Sequence, residues 1–137
     1  MNEHALERLE YPQVIEILAN YATSGLGKRE VSQLQPLSDR EIVERLLAET
    51  TELKTLLMPE QDLPIGGLHD VSFSLLKLEK GTDILPIDEI LAIGDTLRAT
   101  RNVRNFIADA GAMYPRVMAM AEDIGVFDDL EQRIDKT

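Results

Sequence analysis

The run Ser24-Gly25-Leu26-Gly27-Lys28-Arg29 holds the residue types that could take a phosphate: glycines that let backbone amides approach an anion, then a lysine at a helix start. A phosphate-binding loop needs another glycine five positions before its Gly-Lys pair and a Ser or Thr after it. This chain has Ala22 and Arg29 there. The run is therefore read as a turn between two helices. The enzyme alternative, a phosphate site at Gly25 to Lys28, would make the isolated segment bind nucleotide, and calorimetry is expected to show none.

The other chemistry-bearing residues are scattered. His4 and His69 lie far apart, with no second histidine or Glu-x-x-His spacing around either, so a zinc site lacks ligands. Glu122-Asp123 and Asp128-Asp129-Glu131 read as solvated carboxylates at helix ends, and no calcium-loop spacing is present. Arg98, Arg101 and Arg104 recur at helical spacing as the only basic stripe. Such a stripe could meet phosphate, but with so few charges it is better read as an exposed face pairing with nearby carboxylates. Met113, Met118 and Met120 read as adaptable core filling. Within residues 1–137 no catalytic, cofactor-binding or metal-binding residue is therefore assigned.

The elements that carry these residues are helical throughout. Glu3 to Leu9 forms a short helix, and after Tyr11-Pro12 the positions Val14, Ile15, Ile17, Leu18, Tyr21 and Ala22 form a second. A third bears Leu26, Val31 and Leu34 and stops before Pro36. Ser38-Asp39-Arg40-Glu41 has the form of a capping box, from which a long helix runs from Asp39 to Met58, ended by Pro59. Leu63-Pro64-Ile65-Gly66-Gly67 is a loop, and His69 to Lys80 a short helix closed by Gly81. A second long helix runs from Pro86 to Ala110. After Pro115 comes a short apolar stretch with Val117, Met118, Met120 and Ile124. Asp128 to Thr137 then looks like a helix beginning, cut mid-element. No strand pattern or repeat competes. The expected fold is all-α: an irregular helical bundle with two long amphipathic helices, 1–137 forming a single scaffold domain and a truncated N-terminal fragment of a longer chain.

Composition narrows the function. With 25 acidic against 14 basic residues, the net charge of −11 opposes any reading in which this segment alone grips nucleic acid. The hydrophobic share of 44% nonetheless suffices for a folded core. Absence of cysteine fits a reducing compartment, so a cytoplasmic location is expected, and no apolar run is long enough to span a membrane.

The order Leu6, Leu9-Glu10, Val14, Leu18, then Ala22-Thr23-Ser24-Gly25-Leu26-Gly27-Lys28, then Leu34-Gln35-Pro36-Leu37-Ser38-Asp39 resembles the start of the bacterial MutS paralogue that carries a C-terminal Smr nuclease module. Glu49-Thr50-Thr51-Glu52, Leu63 to Val71 and Leu85-Pro86-Ile87-Asp88-Glu89-Ile90 extend the resemblance over nearly the whole chain. Leu85 departs from it, standing where a serine N-cap is expected. The resemblance implies a helical core or lever domain followed by a coiled clamp. It also implies an ATPase domain using ATP and magnesium elsewhere in the polypeptide, a homodimer, and action on branched DNA or on collided ribosomes through other domains. None of the family's nucleotide-binding or nuclease motifs falls within residues 1–137. The rival expectation is a freestanding helical adaptor that binds another protein through an amphipathic face.

Overall fold

The structure, a computed structural model, describes residues 3–58, 61–81 and 84–136. Pro59 and Thr137, where the sequence reading ends the first long helix and the chain, lie outside the described residues. The fold is all-helical, and no strand occurs among the described residues. The chain divides into two compact units, Met1–Asp39 and Arg40–Thr137.

The first unit is built from α1 (Glu3–Arg8), α2 (Tyr11–Tyr21) and α3 (Gly25–Ser32). Pro12 sits in the first turn of α2, as its missing N–H allows, and the Ser24 hydroxyl caps α3 by accepting from the Gly27 amide at 3.0 Å. The third helix ends at Ser32 and does not reach Leu34. Leu34 instead offers its carbonyl to the Tyr11 hydroxyl at 3.0 Å, which ties the entry of α2 to the segment after α3. No residue of α1, α2 or α3 is fully buried, and Val14, Ile17 and Tyr21 form an exposed apolar stripe. So short a unit cannot enclose a dry core by itself.

Between α1 and α2 the chain turns at Glu10, whose φ of 56° is the one positive value at a non-glycine residue among those described. An L-residue with a Cβ is strained in this region by roughly 1–2 kcal/mol, from which glycine's extra chain entropy must be subtracted. Glu10→Gly is expected to stabilise this unit by up to about 1 kcal/mol, read as a higher thermal midpoint. A lower midpoint would mean that the Glu10 side chain does something the turn requires.

The second unit holds α4 (Arg40–Leu57), α5 (Ser72–Lys80), α6 (Ile87–Ala110), α7 (Pro115–Glu122) and α8 (Asp128–Asp135), with a 3₁₀ turn at Gly111–Met113. Its core lies where α4, α6 and α7 meet: Leu56, Ile107, Val117 and Ala121 are buried, with Leu53, Val103, Phe106 and Met118 packed against them. The aliphatic periodicity of both long helices is what brings these residues together. Several boundaries differ from the sequence reading: α4 ends at Leu57 rather than Met58, and α6 begins at Ile87 rather than Pro86. α4 begins at Arg40, one residue late. α5 begins at Ser72 rather than His69, because the Asp70 carboxylate accepts from the Ser72 amide and hydroxyl in a turn that precedes the helix. Ile124 lies beyond the end of α7.

The methionines are corrected in part. Met118 packs on the core, but Met113 and Met120 are 78% and 54% exposed and fill nothing. Leu85 is buried beside the start of α6, where Pro86 caps without a side-chain hydrogen bond. An apolar anchor thus stands where the resemblance led us to expect a polar cap. In the loop before α5, Gly67 has φ 85° and lies against Asp95, where an added Cβ would approach its backbone oxygen to 3.5 Å. The loop is fastened to α6 there: the His69 amide donates to the Thr96 hydroxyl at 3.1 Å.

Candidate functional site

The arginine stripe of α6 is the most highly organised polar constellation of the second unit. Arg101 forks onto Glu131 of α8, with Nε and Nη2 donating to the two carboxylate oxygens at 2.9 and 2.8 Å. Arg98 donates to Asp135 at 2.6 Å and to Asp95 at 3.1 Å, and its Nε lies 3.4 Å from Glu131. Arg104 donates to the Ile124 carbonyl at 2.9 Å. Ascending residues of α6 therefore meet descending residues of α8 and its approach, so the two helices run antiparallel. The sequence reading of this stripe as a carboxylate-pairing face holds, with the differences that Arg104 takes a carbonyl and that the face is half-buried under α8 and not exposed.

The acidic partner is where the sequence reading needs correction. Glu131 is no solvated cap: it is only 7% exposed, pressed between two arginines. Hydrogen bonds from Arg101 outweigh burial and hold its carboxyl below the usual range, and Asp135 in turn keeps Arg98 firmly charged. Glu122, the last residue of α7, stands at a C-terminus, the end of the dipole that carboxylates do not favour.

What lets α8 come this close is Gly94. A Cβ built there would sit 2.9 Å from Cγ2 of Ile134, too near unless the Ile134 side chain or α8 shifted. A mid-helix glycine costs about 1 kcal/mol of helix propensity relative to alanine, and here the cost is offset by the seat it opens for Ile134.

Two further carboxylates join helices at a distance. Glu52 of α4 accepts from the Arg116 and Val117 amides at 2.8 and 3.2 Å and from the Arg116 guanidinium at 2.8 Å. It is the N-cap that α7 lacks locally, since Tyr114 offers no side-chain cap. Burial pushes its carboxyl up, but the bonds from Arg116 and Val117 together bring it below the ordinary value. Glu89 of α6 accepts from Lys77 and from Ser74 of α5, and these bonds lower its pKa. Neither role was read from the sequence. The local trace of the Glu52 cap is a helix start, Tyr114-Pro115, without any capping residue.

The remaining candidates are quickly placed. Gly25 to Lys28 is the first turn of α3, and its amides at Gly27 and Lys28 are turned onto Ser24 at 3.0 Å each. A Cβ at Gly27 would crowd the capping Ser24 hydroxyl at 3.1 Å. His4 lies on α1 and His69 in the loop before α5, 3.8 Å from an Asp95 oxygen. Among the described residues no group of three or more His, Cys, Asp or Glu is arranged to hold a metal ion, and no helix is long and apolar enough to cross a membrane.

Charged side chains that cap, fork and clasp one helix onto another define a helical packing scaffold. No family model matches the chain. It is similar to proteins named endonuclease MutS2: 32% identical over 137 residues to that of Alkaliphilus oremlandii and 35% over 134 residues to that of Pelotomaculum thermopropionicum, covering 98% of this chain and 17% of each relative. That of Acetivibrio thermocellus is 37% identical over 109 residues, 80% of this chain and 14% of the relative. Over nearly its whole length the chain is homologous to one segment of MutS2-like proteins, and it spans about a sixth of their length.

Proposed function

We propose that the chain is a core and lever segment of a MutS-like ATPase acting on nucleic acid, and that it carries force while chemistry happens elsewhere. The observation that supports this best is α6. Its 24 residues, about 36 Å of rod, are braced by apolar packing against α7 at one end and clasped to α8 through Arg98 and Arg101 at the middle. In this reading the ATP and magnesium sites, the clamp, the dimer contacts and the Smr nuclease module belong to other parts of the polypeptide. Branched DNA or a collided ribosome is engaged there, in the cytoplasm, and the acidic segment described here makes no phosphate contact of its own.

Coupling between nucleotide and nucleic-acid binding typically amounts to about 5- to 150-fold in affinity. In the full-length polypeptide, kinking α6 by Asn102→Pro and releasing α8 by Arg101→Glu are each expected to remove most of that factor while leaving ATP hydrolysis without nucleic acid intact. Arg101→Glu leaves the α6 backbone unbroken, so it answers for a proline variant that fails to fold. An unchanged nucleotide response with Arg101→Glu would overturn the lever role.

One observation favours the adaptor as a second reading. α5 turns its polar residues Ser74 and Lys77 toward Glu89 and leaves Phe73, Leu75, Leu76 and Leu78 at least half exposed. An adaptor would bind a partner through that face with the clasp disabled.

A further inference from the structure

Within the first unit α2 packs on α1 and on α3, and its half-buried side carries Ile15 and Ala19. Beside that side runs a second apolar line: Val14, Ile17, Leu18 and Tyr21 are 54%, 60%, 42% and 79% exposed. Their spacing of three, one and three residues puts them on one face over two turns of helix. The one charged residue of α2, Glu16, falls near the opposite side, and the line is flanked by the neutral Gln13 and Asn20.

That line is complementary to itself. The four positions are symmetric about the point between Ile17 and Leu18, so a two-fold axis there lays each of them onto an identical helix running the other way. Ile17 then meets Leu18, and Val14, the smallest, meets Tyr21, the largest, so the facing pairs match in volume. Charge singles out the same face. Two copies of a chain with a net charge of −11 repel each other, and they approach at least cost through a face without charges. The line exposes on the order of 500 Å² per copy, so a pair buries about 1,000 Å², the lower bound for a specific interface. We propose that two copies of this chain pair antiparallel through α2, as a weak dimer closed by that two-fold axis. This contact is separate from the dimer contacts that the lever reading assigns to other parts of the polypeptide, and it stands without that reading.

Disulfide mapping on the 137-residue chain tests the pairing, and a sequence without cysteine keeps the readout clean. Val14→Cys and Tyr21→Cys are made as separate variants, with Glu16→Cys as the control. All three side chains are exposed, so the substitutions leave the fold intact. Under mild oxidation a mixture of Val14→Cys and Tyr21→Cys is expected to give a mixed disulfide dimer. Neither variant alone is expected to do so, because two copies of position 14, or of position 21, lie about 10 Å apart along the helices, beyond the reach of a disulfide. Self-crosslinking as strong as the mixed product would mean a parallel or nonspecific contact. A mixed product no stronger than Glu16→Cys gives with either variant would mean random collision, and each of these results overturns the proposal. Sedimentation equilibrium supplies a second readout. The chain is expected to show a concentration-dependent monomer–dimer equilibrium that tightens as salt rises, since screening weakens the repulsion and spares the apolar contact. Ile17→Glu is expected to shift it toward monomer by at least about tenfold. A monomer even at millimolar concentration, as when another part of the polypeptide covers α2, would overturn the pairing, as would species larger than a dimer or a dimer that Ile17→Glu leaves unchanged.

Discussion

Ile107→Ala is expected to destabilise the second unit by about 2–4 kcal/mol, the range for deleting a buried aliphatic side chain from a site that cannot fully collapse. Ile107 is 5% exposed and forms the α6 contribution to the cluster with Leu56, Val117 and Ala121. Its neighbours belong to α4 and α7, so the cavity would open between three rigid elements and relax poorly. The loss is large against a total stability that is roughly 5–15 kcal/mol for a domain. Urea unfolding of the 137-residue chain measures it, with Leu91→Ala as the exposed control. A shift of the same small size for both would mean that α4, α6 and α7 do not share a core at Ile107.

Glu131→Lys is expected to free α8 from α6 while leaving that core folded. The substitution places a third cation against Arg98 and Arg101 where the carboxylate now accepts from both sides, and removing one partner of a buried ion pair is among the most disruptive of surface-adjacent changes. Amide exchange in 128–135 should rise toward that of an unstructured chain, with Asp129→Lys on the outward side of the same helix altering it little. The wild-type clasp should respond to acid in the same place. Glu131 has its folded pKa depressed below the ordinary 4.5, so the stability it lends is complete above that value and is lost as pH falls through the depressed one. Protection of α8 is therefore expected to hold constant down to about pH 5 and to decline below 4.5, and Glu131→Gln should flatten that decline. If α8 exchanged equally in wild type and Glu131→Lys at neutral pH, the clasp would not hold it.

Most of the helices were legible because their signals are local. The stripes Leu53 and Leu56 on α4 and Val103, Phe106 and Ile107 on α6 repeat at helical spacing, Pro12 and Pro115 open helices, and the glycines at 81 and 111 close them with positive φ. The start of α5 was misplaced because Asp70 forms its own turn with Ser72, a local competitor that periodicity does not register. Met113 and Met120 share the apolar character of Met118 but fall on turns of the chain that face outward, and no pattern over so short a stretch could tell them apart.

The candidate site was legible only by half. Arg98, Arg101 and Arg104 announce a charged face by their spacing, and a glycine inside a long helix hints at a close neighbour. Which carboxylates answer the arginines could not be read, because Glu131 lies 30 residues from Arg101, and Glu52 lies 64 residues from the α7 turn it caps. The amino-acid order by itself determined the all-helical class and the positions of the rods, since propensity, capping and apolar period act within a few residues. Only the tertiary structure decided which helix lies on which, that Gly94 seats Ile134, and that Glu131 is a buried partner and not a solvated cap. Those outcomes depend on contacts between distant parts of the chain, whose chemistry many other pairings of acids, arginines and aliphatic stripes would have satisfied equally well.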